Sequence, residues 1–133
     1  MKALVTGASG FIGSTLIEEL DTLGFEVRAL VRNRSDSANL DGLKFECIEG
    51  NLSDFGVLCK AVKGVNYIFH LAGVSSATSR AGFFEQNSRG TERLARAVAA
   101  VGPNLTRMVF VSSLAAAGPS ETLRPRVEAD SEK

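Results

Sequence analysis

The sequence predicts an α/β protein with a doubly wound parallel sheet of about five strands in the order 3-2-1-4-5, and three observations lead there. Short apolar runs recur along the chain with helix-period segments between them, the alternation expected of βαβ units. The first run passes through a glycine-rich turn, Thr6-Gly7-Ala8-Ser9-Gly10-Phe11-Ile12-Gly13, straight into an amphipathic segment. With 133 residues and 44% hydrophobic content, the chain can bury one sizeable core, whereas two domains would be crowded.

Each element has its own signal. Ala3 to Thr6 is suited to a buried strand, and Phe11, Ile12, Leu16, Ile17, Leu20 and Leu23 follow at helical spacing until Gly24 stops the helix. Glu26 to Val31 and Lys44 to Glu49 read as the second and third strands. Ser53 or Asp54 suits the N-cap of a helix carrying Val57, Leu58, Ala61 and Val62 on one side, with Gly64 as its stop. Tyr67 to Leu71 is the fourth strand. A longer helix is predicted from about Phe84 to Ala100, where Leu94, Val98 and Val101 continue the apolar face before Gly102-Pro103 breaks it. Met108 to Ser112 closes the series as the fifth strand. Right-handed crossovers and a reversal of strand order after the third strand put a ligand crevice at the carboxyl ends of the first and fourth strands. The domain so read covers 1–117, and the polar, proline-bearing stretch from Gly118 to Lys133 reads as loop or disorder.

Bulk properties narrow the function. Fifteen Lys and Arg balance fifteen Asp and Glu, so no net field draws nucleic acid or an anionic membrane, and neither is an expected partner. No apolar run approaches a membrane span, and Met1-Lys2-Ala3-Leu4-Val5 enters a strand too promptly for a signal peptide, which reads as a cytoplasmic protein. Cys47 and Cys59 lack CxxC spacing and read as buried reduced thiols. With a single histidine and no clustered ligands, no metal site is expected.

The glycine turn points to a dinucleotide pyrophosphate. Gly7 can take a tight-turn conformation, Gly10 lets backbone N–H groups approach phosphates, and Gly13 lets the helix pack close to the strands. The helix N-terminus adds partial positive charge. The bland alternative is a βα turn that merely packs well. At the end of the second strand, where a carboxylate would bond the ribose hydroxyls of NAD, the chain reads Leu30-Val31-Arg32-Asn33-Arg34. Arg32 suits a 2′-phosphate, which favours NADP over NAD as cofactor; a solvated arginine at a loop start is the competing reading.

The TGxxGFIG spacing differs from the GxGxxG of many dehydrogenases and resembles the extended short-chain dehydrogenases/reductases, the epimerase/dehydratase group, whose fold is Rossmann-type. Further segments carry the resemblance. Gly50-Asn51-Leu52-Ser53-Asp54 resembles the family's GDL/GDI-x-D, which implies adenine contact by Asn51 and Leu52, although Asn51 stands where the family has Asp and could equally just end the strand. His70-Leu71-Ala72-Gly73 resembles HxAA/HxAG, implying that Leu71, Ala72 and Gly73 let the cofactor pass close to backbone, with His70 a hydrogen-bonded structural residue. Asn87-Ser88-Arg89-Gly90-Thr91 resembles N-x-x-G-T, in which Asn87 ties neighbouring backbone together. Ser112-Ser113-Leu114-Ala115-Ala116-Ala117-Gly118 resembles VSS-x-A-x-x-G, which puts Ser112 at the cofactor and makes Ser113 the catalytic serine, unless it only satisfies backbone as the strand leaves the sheet. The same resemblance adds Ser9, Phe11 and Ile12 to the cofactor-binding set with Gly7, Gly10 and Gly13.

The resemblance implies an NAD(P)-dependent epimerase, dehydratase or reductase acting on a nucleotide-sugar or another small hydroxyl/carbonyl substrate. It also implies a Tyr-x-x-x-Lys pair, and the sole tyrosine, Tyr67, has Leu71 four residues on. The chain is accordingly read as the amino-terminal portion of such an enzyme, catalytically incomplete by itself and truncated before the rest of the fold. An uncovered sheet edge or face would then be open to self-association. The alternative is a non-catalytic dinucleotide-binding module that senses redox state or binds a partner.

Overall fold

The computed structural model describes residues 1–33, 38–74 and 79–113. Its five strands are β1 (Lys2–Thr6), β2 (Glu26–Val31), β3 (Glu46–Glu49), β4 (Tyr67–His70) and β5 (Arg107–Phe110). They form one sheet in the order β3-β2-β1-β4-β5, and every neighbouring pair is parallel, as the sequence predicts. Leu114 to Lys133, including the expected polar tail, lie outside the described residues.

Helix α1 (Phe11–Thr22) follows the glycine turn, and α2 (Phe55–Val62) links β3 to β4. Asp54 caps α2 by accepting the Val57 N–H at 3.0 Å. The next helical stretch starts earlier than the predicted Phe84. It runs as α3 (Arg80–Phe84), a π-helical turn (Glu85–Arg89) and α4 (Gly90–Val101), with Ser79 accepting the Gly82 N–H at its start. Gly102, in the left-handed region, ends α4 and donates to Val98 O.

Strand residues alternate between two cores. Leu4, Leu30 and Ile68 pack under α2 and α4 with Leu58, Val62 and Leu94. On the other face Ala3, Val5, Val27, Ala29 and Val31 pack with Ile17 and Leu20 of α1. The buried stripe of α1 is therefore Gly13, Ile17 and Leu20, and three predicted members are corrected: Phe11 is 86% exposed, Ile12 60% and Leu23 70%. Phe11 and Ile12 occupy the first turn beside the glycines, and Leu23 is the C-cap, so all three lie at the helix ends rather than over the sheet. Cys47 and Cys59 are free and half-buried, on opposite cores.

Two ionisable side chains are buried in the described residues. Arg28 stands on β2 beneath the end of α2, where its Nη1 donates to the carbonyls of Ala61 and Lys63 at 2.7 Å each and to Lys60 at 3.3 Å. Lys60 O also accepts the Lys63 N–H at 3.4 Å, whereas the Ala61 and Lys63 carbonyls are met by Arg28, so a buried arginine caps the end of the helix. Glu46 Oε2 lies 3.0 Å from both Arg28 Nε and Lys2 Nζ. Hydrogen bonds from Arg28 and then Lys2 hold the Glu46 carboxyl below its ordinary pKa. His70 has no exposed surface, and its burial lowers its pKa to about 4.

Arg28→Leu should lower unfolding stability by about 2 kcal/mol, because it leaves buried carbonyls without a donor; an unchanged denaturant midpoint would contradict the capping role. Stability should also fall with acid in two windows. An unfolded chain protonates its one histidine near 6.5, whereas folded His70 stays neutral to about 4, so its contribution is whole above 6.5 and declines between those values, by on the order of 3 kcal/mol. Glu46 adds its loss lower, as its carboxyl takes a proton below 4.5. Urea titrations across this range check the profile, and His70→Gln should remove the upper slope.

Candidate functional site

The carboxyl ends of β1 and β4 meet at the glycine turn, and sterics dictate how. Gly7 has φ +72°, and a Cβ on it would lie 2.7 Å from both Leu71 C and Ala72 N. A Cβ on Gly13 would lie 2.2 Å from Gly7 O, so the first turn of α1 passes directly over the end of β1. Gly10 is exposed, donates to Gly7 O at 3.1 Å and occupies the N-cap of α1. It supplies no side-chain cap, and the first turn carries no acidic residue, so the helix start presents N–H groups and partial positive charge to an incoming anion.

A cavity of about 350 Å³ opens over this junction. Gly7, Ser9 and Gly10 form its floor; Leu30 and Arg32 line it from the end of β2, and Gly50, Asn51 and Leu52 from the end of β3. Leu71, Ala72, Gly73 and Val74 complete it beyond β4, with Gln86 from the π-helical turn. Asn39 steadies the turn by donating from Nδ2 to Ser9 O at 2.9 Å. Arg32 is exposed at the cavity rim. Asn51 accepts the Ser53 N–H at 2.8 Å and is bonded to the Ser53 hydroxyl through the same Oδ1, so it both turns the chain after β3 and faces the cavity. What it offers a ligand is its Nδ2 donor.

Nine of the residues picked out from sequence thus come together around one cavity. Others lie elsewhere. Gly13 packs against the turn, while Phe11 and Ile12 project outward from the first turn of α1. Asn87 is buried, accepting the Val74 N–H at 2.8 Å and donating to Val74 O at 3.0 Å, so it holds the cavity wall from behind. Ser112 and Ser113 are exposed just past β5, outside the cavity lining. Their roles at a substrate are not drawn from this cavity. Leu30, Gly50, Val74 and Gln86 also line the cavity without having been named as cofactor contacts, although Leu30 and Gly50 stand in the segments that carry Arg32 and Asn51, and Gln86 is adjacent to Asn87.

His70 sits behind the same wall. Its Nδ1 is 2.6 Å from Thr6 Oγ1 and its Nε2 is 2.9 Å from Thr91 Oγ1, and its ring stacks on Phe110 with centroids 5.5 Å apart. Buried and engaged at both nitrogens, it has no access to the cavity. Among the described residues no cluster of His, Cys, Asp or Glu could hold a metal ion, and no helix is long and apolar enough to cross a membrane.

Comparison with known proteins agrees with this arrangement. The family model "NAD dependent epimerase/dehydratase family" matches residues 3–133. The chain is 38% identical over 120 residues to sterol demethylase protein B of Methylococcus capsulatus, covering 89% of this chain and 36% of that protein. It is 35% identical over 116 residues to ceramide reductase of Caulobacter vibrioides, covering 87% and 36%. Among solved structures, MoeE5 in complex with UDP-glucuronic acid and NAD superposes with a TM-score of 0.80 at 29% identity, covering 99% of this chain and 47% of that one. The dTDP-glucose 4,6-dehydratase DesIV of Streptomyces venezuelae, with NAD bound, gives 0.80 at 27%, covering 99% and 49%. The chain spans about a third of these curated relatives and about half of these solved chains. By the family match and by the glycine turn, crossover order and cavity described above, the chain belongs to the NAD dependent epimerase/dehydratase family.

Proposed function

We propose that this chain holds a nicotinamide adenine dinucleotide across the carboxyl ends of β1 and β4, as the cofactor-binding portion of an epimerase, dehydratase or reductase. The observation that carries the reading is the cavity itself, with a floor of three small residues, a helix N-terminus without a side-chain cap, and a cationic rim. Its volume falls in the usual range for small-molecule sites. A Cβ on Gly10 would meet only Gly7 O, at 3.2 Å, so the space above this glycine is open for a phosphate to approach the backbone. When bound, the nicotinamide would supply hydride transfer; the chain's own residues orient and enclose it. Arg32 supports a preference for the 2′-phosphorylated form, since its fork matches phosphate geometry and no carboxylate stands at the end of β2. That two solved relatives hold NAD supports the dinucleotide and leaves the 2′-phosphate preference to Arg32 alone.

In the parent enzyme, Ser113 would hydrogen-bond the oxygen of a nucleotide-sugar or other small hydroxyl/carbonyl substrate. Turnover would need a tyrosine and lysine that this sequence does not pair, so the chain alone is read as a binder rather than a catalyst.

Calorimetric titration of the purified chain with NADPH and NADH tests the reading. NADPH should bind about tenfold tighter than NADH, Arg32→Ala should remove that difference, and Gly10→Ala should weaken both. Binding of neither nucleotide would overturn the proposal, and equal binding would overturn the role of Arg32.

A further inference from the structure

The contacts around His70 determine more than its burial. Thr91 has one hydroxyl proton, and it donates that proton to Asn87 O at 2.7 Å. Toward His70 Nε2, 2.9 Å away, it can then only accept, so Nε2 carries the hydrogen. In a neutral ring Nδ1 is then an acceptor, and Thr6 Oγ1, at 2.6 Å, must donate to it. The oxygen of Thr6 in turn accepts the Ala72 N–H at 3.3 Å. Every donor in this series points the same way, from Ala72 N–H through Thr6, His70 and Thr91 to the Asn87 carbonyl.

The series closes on itself. The Asn87 side chain holds Val74 N–H and C=O at 2.8 and 3.0 Å, and Val74 is joined to Ala72 through Gly73, where a Cβ would lie 3.3 Å from Asn87 Oδ1. The cavity wall from Ala72 to Val74 is therefore tied at both ends to one residue of the π-helical turn, directly at Val74 and through the relay at Ala72.

We propose that Thr6, His70 and Thr91 are positioning residues, a one-directional hydrogen-bond relay that locks His70 as the neutral Nε2–H tautomer and fixes the Ala72–Val74 wall for the nucleotide. The part concerning the nucleotide rests on the function proposed above. The relay accounts for a buried histidine facing two hydroxyls, and it assigns His70 no proton transfer to substrate. Protonation would set two donors against each other at Thr6, and the other tautomer would in addition leave two acceptors facing each other at Thr91.

Because His70 is the only histidine, long-range proton–nitrogen NMR of the labelled chain reads its tautomer without assignment. A single Nε2–H form at neutral pH is expected, together with slow exchange of the Ala72 amide. The Nδ1–H form, or a mixture of forms, would overturn the relay. Thr6→Ser should keep the tautomer, the Ala72 protection and NADPH affinity, whereas Thr6→Val should speed Ala72 exchange and weaken NADPH binding about tenfold. Thr91→Ala, which removes the Nε2 acceptor at the far end, should abolish the single-tautomer signature and serves if Thr6→Val does not fold. A folded Thr6→Val chain that binds NADPH as tightly as the parent would overturn the positioning role. Failure of the parent chain to bind either nucleotide would overturn the cofactor reading, leaving tautomer and amide exchange to decide the relay.

Discussion

Three stretches of backbone meet where β1 ends, and their approach is closer than any side chain allows. The chain leaving β4 passes Gly7 at a place where a Cβ would overlap Leu71 and Ala72, and the first turn of α1 passes over Gly7 where a Cβ on Gly13 would overlap its carbonyl oxygen. The parallel pairing of Thr6 with His70 brings the two strand ends level, so both exits reach this point together. Widening either contact would lift α1 from the sheet or move the exit loop of β4, and so alter the cavity between them. The site is thus a product of excluded volume before any polar group contributes to it.

Around that junction, the parallel sheet is stabilised by having both faces covered. Leu4, Leu30 and Ile68 share one core and Ala3, Val5 and Ala29 the other, so successive residues of β1 and β2 meet different helices. Arg28 is the exception on these central strands. It is tolerated because its charge lies against Glu46 and its protons against the end of α2, which turns a costly burial into a fastening between sheet and helix. The opposite end of the sheet holds the cavity. The charged fastening therefore lies toward the amino ends of the strands, and the nucleotide-sized opening at their carboxyl ends.

Much of this could be read from residues in order. The strands announce themselves as apolar runs, the strand order follows from crossover handedness, and the glycines mark the junction because only they fit there. Asn87 was legible as a backbone tie, although not its partner Val74. Other features are set by tertiary context. The apolar face of Leu94, Val98 and Val101 predicts the helix after β4 from about Phe84, and the Ser79 cap and the π-helical turn decide its true course. That turn brings Gln86 to the cavity while Asn87 faces inward, which regular helical spacing does not anticipate. Phe11 and Ile12 fit an apolar helical pattern yet project beyond the sheet, since periodicity says which residues share a face but not how far the covered surface extends.

The central position of β1 also orders the making of the molecule. Its pairing with β2 needs only the intervening α1, whereas its pairing with β4 joins residues 64 positions apart. As the chain emerges from a ribosome, β1, β2 and β3 can assemble with one flank of β1 still bare, and that flank is satisfied only when Tyr67 to His70 arrive. Non-local parallel pairings of this kind form slowly, so the last wall of the site is also the last central seam of the sheet to close.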